Sequence, residues 1–260
     1  MAIGEHLRSW RQRRRMSQLD LACEADISAR HVSFLETGRA RPSRDMVLHL
    51  AERLEVPLRE RNVLLVAAGF APVFAERTLD DPALVAAREA IALVLAAHEP
   101  YPAIAVDRHW TLVAANKASG RILAGAAPEL TKPPVNVLRL ALHPNGLANR
   151  TVNFAEWHGH LLARLRRQVE TTADPRLAAL HEELTHYPAP PRNSPQPAPN
   201  PTAVAVPLRL SSELGVLSLL STITVFGTPV DITLSELAIE TFLPADRATA
   251  DALRRLAAGG

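Results

Sequence analysis

Nine arginines within the first 44 residues carry the most conspicuous chemistry of this chain. Five acidic side chains oppose them, so this stretch has a net charge of +4, whereas all 260 residues together carry only +2. A guanidinium can bind a phosphate or the O6 and N7 atoms of guanine through two parallel hydrogen bonds. A local excess of guanidinium groups is therefore typical of a nucleic-acid binder, and the alternative is a solvated arginine face.

The residues around these arginines have the spacing of two short helices joined by a tight turn. Ser17 and Ser28 can each cap a helix, and Gly38 can end the second one. Ser43 can cap a further helix beyond the motif. Ala22 is small where the two helices would approach closely, and Ile27 can fill the turn between them. This pattern predicts a helix-turn-helix whose second helix enters the major groove of DNA.

The pattern resembles the Xre family of helix-turn-helix regulators over residues 3–70. The matching positions are Ser17, Gln18, Leu21, Ala22, Ser28, Val32, Ser33, Glu36 and Gly38. The resemblance implies that double-stranded DNA is the partner and that the groove-facing residues are Ser28, Ala29, Arg30, Ser33 and Phe34. It further implies that Arg30 reads guanine. The phosphate contacts it implies come from Gln18, Arg39, Arg41 and Arg44.

Several residues of this region allow two interpretations. Phe34 either lies against a thymine methyl group or packs into the core. The cluster Arg11–Arg15 either contacts phosphates or keeps the surface soluble. Gln18 can also brace a side chain of the second motif helix, and Glu36 is expected to be structural.

Residues 1–70 are expected to form an all-α domain of five short helices, followed by a connector over residues 71–81. Caps and apolar spacing predict the helices Ile3–Arg14, Gln18–Ala25, Ala29–Thr37, Arg44–Leu54 and Arg59–Ala68. Residues 82–257 are expected to form a second domain that contains a proline-rich loop over 187–201. Because a pair of predicted strands is followed by helices and then by three more strands, the expected fold class is α+β, with an antiparallel sheet that carries helices on one face. The predicted strands are Ala103–Asp107, Trp110–Ala115, Ala203–Leu210, Val216–Phe226 and Leu237–Leu243. In the same domain, Asn153 and Glu156 have capping-box spacing at the start of a long helix.

This second region resembles the PAS-like ligand-binding domain of MmyB-like Xre regulators over about residues 82–257. The segments that carry the resemblance are PAIAVDRHWTLVAAN, LHPNGLANRTVNFAEW and FGTPVDITLSELAIETFLPAD. The resemblance implies a transcription regulator whose second domain senses a small apolar ligand of the fatty-acid class. Aliphatic residues of the predicted strands could form the walls of such a site: Leu112, Leu217, Leu219, Ile223, Val225 and Ile239.

Polar anchors for such a ligand would have to come from a few side chains among these elements. The candidate ligand-binding residues are Trp110, His143, Arg150, Trp157, His158 and His181. Arg150 could pair with a carboxylate, but it could equally be a surface residue. The histidines could equally be core side chains whose hydrogen bonds are satisfied within the protein.

The resulting prediction is a DNA-binding regulator that acts as a homodimer on two half-sites about one helical turn apart. In the alternatives, the second domain only dimerises, or it binds a flavin or haem cofactor. No metal-binding spacing, phosphate loop or nucleophile elbow occurs in the sequence, so neither a metal, a resident cofactor nor an enzymatic activity is expected. The single cysteine, Cys23, and the lack of a signal peptide or a long apolar stretch predict a cytoplasmic protein without a membrane partner.

Overall fold

The computed structural model describes residues 1–123, 125–191 and 205–258, and its contacts divide the chain into two units. Unit 1 comprises Met1–Thr78, Glu170–Thr172 and Thr228–Ser235, and unit 2 comprises Leu79–Val169, Ala173–Gly227 and Glu236–Gly260. Two short segments from late in the sequence thus group with the N-terminal helices. The domain boundaries drawn from the sequence stay a prediction, and most of the predicted proline-rich loop, from residue 192, lies outside the described residues.

Unit 1 is helical. Its first five helices are α1 (Ile3–Arg13), α2 (Gln18–Glu24), α3 (Ala29–Glu36), α4 (Arg44–Arg53) and α5 (Leu58–Ala67). Three hydroxyl caps predicted from the sequence are confirmed, because Ser17 and Ser28 accept hydrogen bonds from the backbone of Asp20 and His31, and Ser43 accepts one from Met46. Each cap satisfies an amide that the helix leaves without an internal partner.

Gly4 lies where α1 packs tightly against the end of α3. A Cβ atom at this position would lie 2.5 Å from the carbonyl oxygen of Leu35 and 2.6 Å from that of Glu36. Only a residue without a side chain allows this approach. The close packing buries Leu7 of α1 and Leu35 of α3 in one apolar cluster with the other helices of unit 1.

Unit 2 is built on an antiparallel sheet of five strands in the order β2-β1-β5-β4-β3. The strands are β1 (Ala103–Val106), β2 (Leu112–Ala115), β3 (Leu208–Ser212), β4 (Gly215–Val225) and β5 (Ala238–Pro244). The α-helices that follow α5 along the chain are α6 (Val85–Ala97), α7 (Lys117–Leu123), α8 (Pro128–Thr131), α9 (Val137–Leu142), α10 (Phe154–Thr172), α11 (Pro175–Thr185), α12 (Ile232–Ser235) and α13 (Arg247–Ala258). Of these, α12 and the last turn of α10 belong to unit 1. The expected α+β class is confirmed.

Two local predictions for unit 2 are wrong. The third strand begins at Leu208 instead of Ala203, after a segment that includes undescribed residues. Asn153 precedes α10, but its side chain caps no amide of the helix. Its amide instead donates to Glu156 and to the carbonyl oxygen of Pro207, and its side-chain oxygen accepts from the backbone of Arg209. The bonds to Pro207 and Arg209 join the start of α10 to the entrance of β3, which residue spacing alone could not reveal.

The core of unit 2 lies between the sheet and α10. Trp157, Leu161 and Leu165 follow one face of α10 and are buried together with Leu210 and Leu217 of the sheet. The spacing of three to four residues places these side chains on a single stripe of the helix. Within the described residues, no helix is long and apolar enough to cross a membrane.

Candidate functional site

The turn between α2 and α3 holds the two helices of the motif at a fixed angle. Ala22 is 2% exposed, and its carbonyl oxygen accepts a hydrogen bond of 3.0 Å from the backbone of Ile27. Asp26 adopts a positive φ of 51°, a conformation that aspartate tolerates better than most residues. Ile27 packs against the core of unit 1, as its position in the sequence predicted. This arrangement directs the outer side of α3 away from the core.

Phe34 lies on α3 between two arginines. The guanidinium of Arg30 is 5.1 Å from the centre of the Phe34 ring, and that of Arg39 is 5.9 Å from it. Phe34 is half-buried and does not belong to the apolar cluster of unit 1, so the predicted alternative of core packing is wrong. Cation–π attraction instead makes the ring a platform that orients both guanidinium groups.

Four arginines on and after α3 are exposed: Arg30, Arg39, Arg41 and Arg44. No ion pair to an acidic side chain is found for any of them in the described part of the chain. Ser28, also exposed, and Ala29 and Ser33, both half-buried, accompany Arg30 on the first turns of α3. The structure therefore brings the predicted groove-facing residues together on one helix, followed by three unneutralised cations.

Glu36, at the end of α3, is held by cations from other helices. Its side chain is only 1% exposed and accepts hydrogen bonds of 2.6 and 2.9 Å from the guanidinium of Arg11. The side-chain amide of Gln18 donates a further hydrogen bond of 2.8 Å to Glu36. Gln18 therefore braces a side chain of α3, which is one of its two predicted roles. Arg8 contributes a longer contact of 3.5 Å. Glu36 thus ties α1 and α2 to α3.

The arginines of the Arg11–Arg15 cluster fall into two groups, one with partners inside the protein and one that is exposed. Arg11 is buried against Glu36, and the guanidinium of Arg14 donates to the carbonyl oxygens of Leu54 and Glu55. Both are structural residues, a role that neither sequence-based alternative included. Arg13 and Arg15 are exposed.

The protonation of Glu36 should couple the stability of unit 1 to pH. Burial alone would raise the pKa of Glu36, but the hydrogen bonds from Arg11 and Gln18 and the charge of Arg11 hold this pKa below its ordinary value of 4.5. The stabilisation is therefore present above pH 4.5 and is lost as the pH falls through the lowered pKa. We expect urea unfolding between pH 5 and pH 3 to depend less steeply on pH in Glu36→Gln than in the wild type. Equal slopes would contradict this assignment.

Unit 2 encloses an apolar cavity of about 90 Å³ between the sheet and helices α7, α9 and α10. Representative lining residues are Ile104, Leu112, Ile122, Leu161, Leu219 and Phe242. Two of the predicted walls, Leu112 and Leu219, line this cavity. The prediction is wrong for Ile223 and Val225, which are 48% and 61% exposed beyond the cavity. Leu217 and Ile239 are buried but do not line the cavity.

Three side chains with polar atoms line this cavity: Ser119, Trp157 and Glu240. The Ser119 hydroxyl donates to the carbonyl oxygen of Ala103 at 2.9 Å. The Glu240 carboxylate accepts from Ser221 and pairs with Arg164 at 2.8 Å. The buried indole Nε1 of Trp157 has no hydrogen-bond partner in the described structure.

Trp157 is the one predicted ligand contact that lies in the cavity lining. His158 stacks on Phe154 and its Nε2 lies 3.3 Å from the carbonyl oxygen of Leu184, while His181 is half-buried elsewhere on α11. His143 packs edge-on against Tyr187.

The other two predicted contacts have protein partners. The Trp110 indole donates to Gln168, and the guanidinium of Arg164 lies 4.3 Å from its ring centre. Arg150 donates to the carbonyl oxygens of Ile122 and Ser211. Apart from Trp157, the candidates therefore stay predictions without support from the cavity geometry.

Two family models match this chain. A model described as a helix-turn-helix domain matches residues 2–64, and one described as an MmyB-like transcription regulator ligand binding domain matches residues 87–256. The second match covers well over half of the chain. The chain belongs to the MmyB-like transcription regulators. No curated protein matches it.

The contribution of β5 and α9 to the cavity of this MmyB-like regulator was not predicted from the sequence. Glu240 and Phe242 of β5 are two residues apart and therefore share one face of the strand. This two-residue spacing could have indicated from the sequence that both side chains face the same side of the sheet. No comparable signal marked α9, which contributes Val137, Leu138 and Ala141 to the lining, because a six-residue helix is too short to show a clear apolar stripe.

Proposed function

We propose that this MmyB-like regulator reads a specific duplex DNA sequence with α3 of unit 1 and changes its DNA affinity when a small apolar ligand enters the cavity of unit 2. The observation that carries the DNA-binding half is the exposed group Arg30, Arg39, Arg41 and Arg44, which has no acidic partner in the described structure. Phosphates and guanine edges supply the acceptors that such cations lack.

Arg30 is the proposed base-reading residue. It lies on the first turn of α3, where residues of a recognition helix reach base edges, and Phe34 orients its guanidinium. Ser28, Ala29 and Ser33 would line the groove beside it. Gln18, Arg39, Arg41 and Arg44 would bind the phosphates and so set the position of α3 along the duplex.

Two substitutions should separate base reading from phosphate binding. In Arg30→Ala we expect an affinity loss of about five- to 150-fold for the specific site and a smaller loss for unrelated DNA. In Arg39→Ala we expect a similar loss of affinity on all sequences. The slope of log affinity against log salt concentration should become less steep by about one, because one phosphate contact is lost. Fluorescence anisotropy at several salt concentrations, with duplexes from the promoter of the protein's own gene, measures both quantities.

The control is Arg247→Ala, which removes an equal charge from a side chain of unit 2 that is 95% exposed. It should bind DNA like the wild type. An Arg30→Ala protein that keeps its full preference for the specific site would rule out the base-reading role.

The DNA-binding form is proposed to be a homodimer. One recognition helix contacts too few base pairs for high affinity, whereas two half-sites one helical turn apart double the contacts. A dimer of this kind should protect a footprint with two-fold symmetry. Sedimentation of the protein–DNA complex that gives one chain per site would overturn it.

The ligand is proposed to be apolar and of the fatty-acid-like class, because aliphatic side chains dominate the cavity. The cavity of about 90 Å³ is smaller than the roughly 300–1,000 Å³ of typical small-molecule sites. An acyl chain must therefore displace lining residues as it enters. Such displacement supplies the difference between two states that ligand control requires.

Native mass spectrometry of freshly purified protein, followed by denaturing extraction, tests the ligand and the oligomeric state together. The expected result is a dimer that releases an apolar small molecule. An absorbance spectrum distinguishes the alternative of a flavin or haem cofactor, since both absorb visible light. A colourless protein to which no acyl-chain compound binds would favour a unit that only dimerises.

The connection between β4 and β5 could transmit a structural change from the cavity of unit 2 to unit 1, which contains the helix-turn-helix. Leu219 of β4 and Phe242 of β5 line the cavity, whereas residues 228–235 between these strands belong to unit 1. There Asp231 binds Arg77 at 2.8 Å, and the backbone of Ile232 donates to the carbonyl oxygen of Ala75. A shift of β4 or β5 would thus act on a segment anchored to the connector after α5. We propose that this β4–β5 connection transmits ligand binding.

A further inference from the structure

The indole N–H of Trp157 is an unsatisfied donor in an otherwise well-paired interior. Trp157 is 3% exposed, lines the cavity, and its Nε1 has no acceptor in the described structure. A buried tryptophan normally donates this hydrogen bond, and leaving it unmade is costly. An orphaned donor in a native protein therefore needs an explanation, and its place beside a cavity provides one.

The other polar groups of the lining are already satisfied within the protein. The Ser119 hydroxyl both donates to the carbonyl oxygen of Ala103 and accepts from its backbone amide. Glu240 is engaged by Ser221 and Arg164. Among the described side chains, the indole of Trp157 is thus the donor left for an occupant of the cavity.

The lining also contains no cation among the described residues, since Arg, Lys and His are absent from it. The one charged lining group is the carboxylate of Glu240, which is itself an anion. His160 stacks on the indole at 5.4 Å, and burial together with the charges of Arg164 and Arg167 lowers its pKa, which favours the neutral imidazole. A carboxylate placed in this cavity would be buried without a counter-ion, which is strongly unfavourable.

We propose that Trp157 is the polar anchor of the ligand site and selects an apolar molecule with a neutral hydrogen-bond acceptor, such as an ester or ketone carbonyl, over the corresponding carboxylate. This inference rests on the proposed ligand-binding function and narrows its ligand class. One N–H, without a positive charge, matches one neutral oxygen. The apolar walls match the rest of the molecule.

Two probes of equal chain length test this selectivity: methyl octanoate and octanoate at pH 7.5, each titrated into the full-length protein by calorimetry. The wild type is expected to bind the ester at least tenfold more tightly than the anion. Trp157→Phe keeps an aromatic ring and removes the donor, and it should weaken ester binding about tenfold while changing octanoate binding less than threefold. Trp10→Phe, the same change in unit 1, should leave both affinities unchanged.

A second measurement on the wild type keeps the proposal testable if Trp157→Phe folds poorly. The three tryptophans give three indole signals in a ¹⁵N-labelled protein, and the Trp157 signal is the one that remains in both Trp10→Phe and Trp110→Phe. Methyl octanoate should move its N–H proton downfield, as a new hydrogen bond does.

Three results would overturn the anchor role. They are tighter binding of octanoate than of the ester, unchanged ester affinity in Trp157→Phe, and an indole proton that does not move downfield. If both probes bind equally and both change DNA affinity, the anchor is refuted while the ligand-responsive function stands. If neither probe binds, the proposed ligand site itself fails.

Discussion

Arg11→Met is expected to destabilise unit 1 by about 3–5 kcal/mol and to abolish DNA binding at moderate temperature. The substitution keeps an apolar stem of similar length but removes two hydrogen bonds, of 2.6 and 2.9 Å, to Glu36. The Glu36 side chain is 1% exposed, so its charge would stay buried with only Gln18 and the distant Arg8 as partners. Because α3 ends at Glu36, the helix that is proposed to face DNA loses its ion pair with α1 and keeps only the apolar packing at this contact.

Hydrogen exchange of the amides in α1 and α3 measures this loss within unit 1 alone, and anisotropy measures DNA binding. Arg53→Met, on the exposed side of α4, is the matched control and should resemble the wild type. The double variant Arg11→Met with Glu36→Met removes both charges and should recover much of the stability. A single variant that loses less than about 1 kcal/mol would show that the ion pair is dispensable.

Asp231→Ala is expected to abolish the effect of ligand binding on the affinity for DNA. Asp231 is 3% exposed, pairs with Arg77, and accepts hydrogen bonds from the backbone of Thr233 and Leu234. Its loss frees the β4–β5 connection from the connector after α5. The change in DNA affinity on adding methyl octanoate or octanoate, for which a coupling of about five- to 150-fold is typical, should fall below twofold. Affinity for the ligand itself should change little, because Asp231 lies outside the cavity lining.

A second variant tests how much of the coupling depends on the Asp231–Arg77 ion pair, and a third serves as its control. Arg77→Met removes the 2.8 Å pair and leaves the backbone bonds of Asp231 in place, so it should weaken the coupling partially. Asp80→Ala removes an acidic partner that is 99% exposed in unit 2 and should leave coupling intact. Full ligand control of DNA binding in Asp231→Ala would exclude this route.

The helices and caps of unit 1 could be predicted from the sequence because their causes are local. A serine that caps an amide three residues later needs no distant partner, and Ser17, Ser28 and Ser43 all behave as predicted. The approximate positions of the strands along the chain in unit 2 were also accessible, since strand-like runs separated by turns leave a signal in each segment, whereas the order of the strands in the sheet was not predicted.

The functional roles within these elements were only partly accessible. Arg11 and Arg13 are two residues apart in a run of cations, yet one is buried against Glu36 and the other is exposed. Trp157 and His158 are neighbours on α10 and were both candidate ligand-binding residues, yet only Trp157 lines the cavity. A stripe about 100° wide cannot tell the residue at its centre from the one at its edge.

By itself, the sequence determined the local chemistry of this protein: a basic N-terminal region with a helix-turn-helix, and a longer region of strands and helices with aliphatic faces. Only the tertiary structure decided which exposed arginines lack an acidic partner among the described residues, which buried donor there has no acceptor, and which late segments group with the N-terminal helices. The physical reason is distance along the chain. Arg11 meets Glu36 across 25 residues and Arg77 meets Asp231 across 154, and such pairs form only when packing brings their elements together.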